Sequence, residues 1–315
     1  PLYYLWGVEA IIPNIIIGSI TSLLLSWYFS RKIHIDPITQ TTAETFKVGR
    51  SMLAMGLTMS LTQFLTIASA YVLRSCIRMW GGVEEVGLYT AGFLLMGQYT
   101  GLVFQAMATD FYPRLAAVNR DNQKCSEVMN QQGEVGFLLL GPLMVLCVVF
   151  VPVVVRILYS EDFLAVNDYV LWCALGVIFQ MASWSVSYVF IAKAESKLFA
   201  INELTVGLYG LALNLTGYYL YGLLGLGISF AMKYILYLFQ VYCIARVRYG
   251  FTFTRSFIRL LVSQVLIVLC CILFVIFLPT LWRYSCGSFI AVFAVVYSVW
   301  ELNKRIDIKS YIKKK

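Results

Sequence analysis

The sequence predicts an all-α polytopic membrane protein with about nine transmembrane helices, and three observations carry the prediction. First, 60% of the 315 residues are hydrophobic, only 13% are charged, and mean hydropathy is +0.79. One soluble core cannot hide that much apolar surface, so lipid must solvate much of it. Second, the apolar residues form long runs: neither 51–73 nor 86–109 contains an Asp, Glu, Lys, Arg or His. At about 1.5 Å per helical residue, each run crosses a hydrocarbon layer of about 30 Å. Third, the basic residues fall between the runs and favour one side of a membrane. The net charge of +8 is therefore a topology signal. A nucleic-acid partner is not expected, because such proteins gather Lys and Arg along a groove of a soluble fold.

The spans run over 5–30, 51–73, 86–109, 135–155, 169–192, 198–220, 226–245, 260–281 and 284–300. Their loops test the division, since misplaced spans would scramble the alternation of charge. Nineteen of the 24 Lys and Arg residues lie on one side: Arg31, Lys32, Lys47 and Arg50, then Arg114, Arg120 and Lys124, then Lys193 and Lys197, then Arg246, Arg248, Arg255 and Arg259, and six in the tail. That side is cytoplasmic. The opposite side holds only Arg74, Arg78, Arg156 and Arg283, and Lys233 remains inside a span. Pro1 then faces outward within an apolar region that has no signal-peptide pattern, so the chain reads as the later part of a longer protein with an odd number of spans ahead of it.

Between the second and third spans lies IRMWGGVEEVGLYTAG, residues 77–92. As a phosphate cradle it fails, because it lacks the lysine of a Walker loop and its two acids would repel phosphate. Instead Gly81-Gly82 is expected to end one helix, with Glu84-Glu85 at the N-terminus of the next, where the helix dipole favours negative charge. The longest polar segment, 110–134, is cytoplasmic; 121–134 can form a polar helix entering the next span, with Asp121 as its cap. Gly141-Pro142 and the cluster Gly222, Gly225, Gly227 mark bends or close helix contacts. The eight cysteines show no CxxC spacing and read as small hydrophobes. His34 has no ligand partner for a metal site, and the sequon Asn214-Leu215-Thr216 lies in an apolar run. No cofactor is expected.

Several of these segments resemble the O-antigen and polysaccharide flippases of the multidrug/oligosaccharidyl-lipid/polysaccharide exporter superfamily. They are GGVEEVGLYTAGF at 81–93, YTGLV at 99–103, AMATDFYPRLAAVNRDN at 106–122, VMNQQGE at 128–134, ILYSEDF at 157–163, IAKAESK at 191–197 and YGLLGLGISFA at 221–231, in the family's order. The resemblance implies two six-helix lobes around a cavity open alternately to each side. Residues 1–46 would then hold the last helix of the first lobe and a cytoplasmic linker, 47–248 the second lobe, and 249–315 an added helix hairpin and basic tail. Five spans would be missing ahead of Pro1. It also implies a substrate, an undecaprenyl-pyrophosphate-linked oligosaccharide carried from the cytoplasmic to the periplasmic leaflet of a bacterial inner membrane. Membrane lipids, and a polysaccharide polymerase and assembly proteins, are the partners it suggests.

Charges and amides at membrane depth are the candidate site. Lys233 sits near mid-depth, too far for its four-carbon stem to reach either surface fully, so it faces a wet cavity, an anion or an acid. Glu203 lies some 10 Å nearer the cytoplasm at about 1.5 Å per residue, so two separate sites are expected in preference to an ion pair, with Glu203 at the cytoplasmic interface. Arg74 and Arg78, one turn apart at the outer end, suit bidentate phosphate recognition or pairing with Glu84 and Glu85. Gln63, Gln98 and Gln105 offer neutral donors and acceptors for sugar hydroxyls or interhelical hydrogen bonds, Gln98 and Gln105 from one face; Asn202 and Asn214 read likewise. With no ATP motif, energy would come from an ion or potential gradient, with Glu203 or Glu9 as proton carriers. No enzymatic activity is expected. A cation antiporter of the same superfamily is the alternative, and a polysaccharide polymerase or glycosyltransferase fits less well because the loops are too short for a catalytic domain.

Overall fold

The computed structural model describes residues 6–31 and 41–305. His34 and the tail beyond Arg305 lie outside the described residues. Contacts divide the chain into two units, Pro1–Arg50 and Ser51–Lys315. The first contains a 3-10 turn, Gly7–Ala10, and helix α1, Ile11–Ser30, none of whose residues is buried. Six further helices follow: α2 (Thr42–Ala117), α3 (Asn122–Leu158), α4 (Val166–Ala192), α5 (Ser196–Tyr249), α6 (Arg255–Phe277) and α7 (Thr280–Arg305). All seven contain stretches long and apolar enough to cross a membrane, and the described residues contain no strand.

Two helices are far too long for one crossing, α2 with 76 residues and α5 with 54. Each is interrupted at a single glycine. Gly82 has φ 88° and ψ −178°, and Gly222 has φ 59° and ψ −137°, backbone regions that a side chain makes costly. The expected junction at Gly81-Gly82 is present, shortened to a single non-helical residue: Gly82 divides the segment into two helices, and Glu84-Glu85 stands in the first turn of the second. At Gly222 the two halves of α5 fold back on each other. Ser229 Oγ donates to the Leu213 carbonyl at 2.7 Å. A Cβ on Gly217 would come within 2.6 Å of the Gly225 carbonyl oxygen, and one on Gly227 within 2.6 Å of that of Tyr169. Glycines there let backbones approach directly, the packing that membrane helices use where burial supplies little drive.

The centre of the second unit is α3 and α4. Val145, Val148, Val149, Val170, Cys173, Ala174, Val177 and Ile178 are almost wholly buried. The fifth helix packs on one side of α4; α6 and α7 pack on α3. The start of α3 follows the expected pattern: Asp121 caps it by accepting from the backbone N–H of Gln123 at 3.0 Å and of Lys124 at 3.1 Å.

Inter-element polar contacts gather at one end of the bundle. Asn119 Nδ2 donates to the Ala192 carbonyl at 3.1 Å, and Asn130 Nδ2 to that of Thr252 at 3.1 Å. Arg248 pairs with Glu195 at 2.7 Å, and Arg305 with Glu134 at 2.9 Å. These residues come from the connections assigned to the cytoplasm by charge. At the other end Trp80 stacks on Tyr218 at 6.2 Å and meets Tyr219 edge-on at 5.6 Å.

Candidate functional site: a cavity between α2, α4 and α5

The two halves of α2, the face of α4 and the two halves of α5 enclose a cavity of about 610 Å³. Its walls carry Thr62, Thr66 and Ser69 from the first half of α2 and Tyr89, Phe93 and Thr100 from the second. Gln180 and Trp184 come from α4; Glu203, Asn214, Lys233 and Tyr234 come from α5. The glycine breaks create this space, because each brings both halves of a long helix to the same volume.

Lys233 is half-buried. Its stem lies along Gly210, where an added Cβ would sit 3.0 Å from the lysine Cδ and 3.1 Å from Cε. The missing side chain at residue 210 is what leaves room for the lysine. Its Nζ stands 5.1 Å from the centre of the Tyr234 ring, within cation–π range.

Glu203 lines the same cavity as Lys233, so the two groups expected as separate sites share one space. Tyr237, one turn beyond Lys233, donates its hydroxyl to Glu203 Oε1 at 2.7 Å. The same hydroxyl accepts from Asn202 Nδ2 at 3.0 Å, and Asn202 Oδ1 accepts from Gln240 Nε2 at 2.7 Å. The offset in depth along the chain is real, but the hairpin of α5 brings the residue one turn past Lys233 against Glu203. Among the described residues no ion pair joins Lys233 to Glu203.

Arg74 is half-buried, 5.9 Å from the Tyr89 ring and 5.6 Å from that of Phe93, so it stands behind the cavity wall that those two rings form. Arg78 is exposed. Neither forms an ion pair with Glu84 or Glu85 among the described residues; Glu85 instead lies against Tyr218 and Gly81. Gln63 is exposed and its neighbours Thr62 and Thr66 take the cavity-facing positions. Gln63 is therefore not in the lining of this cavity, since one residue along a helix turns the side chain by about 100°. Gln98 and Gln105 do share a face, but they line an open groove of about 390 Å³ beside the main cavity. Glu9 lies exposed in the first unit. Asn202 serves interhelical hydrogen bonding, whereas Asn214 lines the cavity.

Tyr237, Gln240 and Gly210 were not singled out from sequence. The spacing from Lys233 to Tyr237, one helical turn, was the available signal. A second polar cluster also went unnoticed: Arg305 bonds Glu134 at 2.9 Å, Glu301 Oε2 at 2.6 Å and Ser256 Oγ at 2.8 Å, fastening α7 to α3 and α6.

The sequence profile of the family described as Polysaccharide biosynthesis protein matches residues 2–168. A search among curated proteins found no significant match. Among solved structures the fold is similar to that of "Lipid II flippase MurJ, inward closed conformation", with a TM-score of 0.60 and 15% identity. The alignment covers 96% of this chain and 64% of that one, so the chain spans less than two thirds of its length. At that identity the likeness concerns the fold alone, a polytopic helical one. The profile match takes in more than half of the sequence, and the chain is a multi-pass membrane protein that belongs to the polysaccharide biosynthesis protein family.

Proposed function

We propose that this chain is the lobe of a flippase that moves an undecaprenyl-pyrophosphate-linked oligosaccharide, an O-antigen unit or another surface polysaccharide unit, from the cytoplasmic to the periplasmic leaflet of a bacterial inner membrane by alternating access. Residues 47–248 would form the second six-helix lobe, 1–46 the end of the first, and 249–315 an added hairpin and tail. The observation that carries this reading is Lys233 in a cavity of about 610 Å³ between membrane-spanning helices. A cation at that depth is unfavourable unless water, an acid or an anion accompanies it, and a pyrophosphate headgroup is such an anion. Lys233 would hold the headgroup, Thr62, Thr66, Gln180 and Asn214 would meet sugar hydroxyls, and the lipid tail would stay in the bilayer. Arg74 and Arg78 would receive the phosphates at the outer end. Lipid-linked substrate and membrane lipids are the partners of this reading, with polymerase and assembly proteins beyond them.

The fit of Glu203 to the same cavity favours a second reading, antiport of an organic cation among Tyr and Trp rings. One experiment separates the two. In cells that carry the full-length protein, surface exposure of the lipid-linked oligosaccharide is measured by its accessibility to an external glycan-specific reagent. Lys233→Ala is expected to lower the rate about tenfold or more, the scale of a lost charge-assisted hydrogen bond, with protein abundance in the membrane unchanged. Unchanged exposure in that variant, together with altered efflux of cations in Glu203→Gln, would replace the flippase reading with the antiporter.

A further inference from the structure

On the α4 wall of the cavity stand two groups that the charge of Lys233 does not explain. Gln180 and Trp184 lie one turn apart, hence on one face of the helix, and both line the cavity. Helix α4 and the second half of α5 run side by side. A Cβ on Gly176 would come within 3.0 Å of the Ala231 Cα, and one on Gly227 within 2.6 Å of the Tyr169 carbonyl oxygen. Lys233 is therefore level with the residues just after Gly176, with Gln180 beside it and Trp184 one turn, about 6 Å, further toward the cytoplasmic end of α4. Trp184 is a fixed ring: Phe104 meets it edge-on at 5.4 Å, and Phe111 and Tyr188 lie at 5.4 Å and 4.5 Å. Part of the indole stays exposed to the cavity. Gln180 has the opposite character. Its main-chain carbonyl accepts from Ser183 Oγ at 2.9 Å, but its side-chain amide has no hydrogen-bond partner among the described residues. An unpaired amide at membrane depth is costly, so it calls for water or a polar ligand.

We infer that Gln180 and Trp184 form the seat of the sugar joined directly to the pyrophosphate, the indole taking the apolar C–H face of the pyranose ring and the amide its hydroxyls. This inference rests on the flippase reading. A pyranose is two-sided in its chemistry: C–H bonds cover its faces, and hydroxyls that both donate and accept surround its rim. A seat for it needs a flat apolar surface beside a group that also does both, which a carboxamide does. A polyprenyl tail would use the ring but leave the amide unpaired, and a phosphate has no use for the ring face or for the amide oxygen. The three rings behind Trp184 hold the indole in place before a sugar arrives, so little side-chain freedom is lost on binding. The offset of one turn also fits the covalent order of the substrate. With its phosphates on Lys233, the headgroup directs its first sugar toward the cytoplasmic end of the cavity, where the indole lies.

The test uses the full-length protein in lipid nanodiscs and two probes, farnesyl pyrophosphate bare and farnesyl pyrophosphate carrying one glucose, each titrated calorimetrically. Glucose is chosen because its equatorial hydroxyls leave both ring faces to C–H bonds. Wild type is expected to bind the glucosylated probe about tenfold more tightly than the bare one, the scale of one covered ring face and one hydrogen bond. Trp184→Leu and Gln180→Leu should each reduce that preference to about twofold or less. Trp184→Phe, which keeps a smaller ring, should fall between, and it keeps the test alive should Trp184→Leu not fold. A role in packing alone would weaken both probes alike and show no such order. Equal affinity for the two probes in wild type, or an undiminished preference in the Trp184 and Gln180 variants, would overturn the inference. Lys233→Gln separates this from the underlying reading: weaker binding of both probes there upholds Lys233 as the anion site whatever Trp184 does, and undiminished binding of the bare probe removes the flippase reading and the sugar seat with it.

Discussion

At Gly82 and Gly222 the backbone adopts positive φ, and the protein uses each as a hinge point of one residue. Gly82→Ala should destabilise the fold by about 1–3 kcal/mol, the cost of a side chain in a region suited to glycine. Gly87, by contrast, is helical with open space around its Cβ position, and Gly87→Ala should be neutral or stabilising by about 0.4–1 kcal/mol. Thermal unfolding in detergent checks both, and equal effects at the two glycines would contradict the strain at residue 82. Asp121 supplies a pH-dependent contribution. The backbone N–H of Lys124, with that of Gln123, holds its carboxyl below the ordinary range. A depressed carboxylate stabilises the fold above its unfolded-state pKa, and that contribution is lost as pH falls through the folded value. Melting curves of wild type and Asp121→Ala should therefore differ at neutral pH and converge on acidification; a constant offset would contradict the cap. Asp121 was legible because capping is local, a property of four consecutive residues. The place of Gln63 was less legible, because the side of a helix that faces a cavity depends on rotation, which an apolar run with few charges does not reveal.

The C-terminal hairpin, α6 and α7, is held by a polar clamp at the scale of whole elements. Arg305 bridges Glu134 of α3 and Glu301 of its own helix, and the Glu301 side chain is only 5% exposed. Arg259 adds a longer contact to Glu301 at 3.6 Å. Removing Arg305 leaves Glu134 without an ion-pair partner and Glu301 with only Arg259 and Lys304, so Arg305→Ala should cost about 1–3 kcal/mol. Lys304 meets the same Glu301 from the surface, and Lys304→Ala should cost no more than about 1 kcal/mol. Limited proteolysis of the 250–259 connection would follow the loosening; equal resistance in both variants would show that the clamp does not hold the hairpin. The clamp was hidden from sequence because Glu134 and Arg305 lie 171 positions apart, and each alone reads as an ordinary end-of-helix charge. The long helices show the complementary case. Apolar runs on either side of Gly82 and Gly222 were plain, charge-free around Gly82 and with one charge each around Gly222, whereas the reduction of the connection to one residue, and the meeting of the residue one turn beyond Lys233 with Glu203, follow from hairpin closure that no periodicity encodes.

Across the whole molecule, the distribution of basic residues and the inter-element hydrogen bonds agree. Asn119, Ala192, Glu195, Arg248, Thr252 and Arg305 are brought together at one end of the second unit, and all come from connections that the excess of Lys and Arg assigns to the cytoplasm. Trp80, Tyr218 and Tyr219 close the other end. The cavity with Lys233 and Glu203 lies between these ends. That placement is what the transport reading stands on, and cysteine labelling measures it. With the eight native cysteines replaced, single cysteines are introduced at Arg78, just before the Gly82 break in α2, and at Arg246, in the last turn of α5, both exposed. A membrane-impermeant maleimide should label Arg78→Cys in intact cells and Arg246→Cys only after the membrane is opened. Labelling of both from outside would contradict the threading, and with it a cavity inside the bilayer.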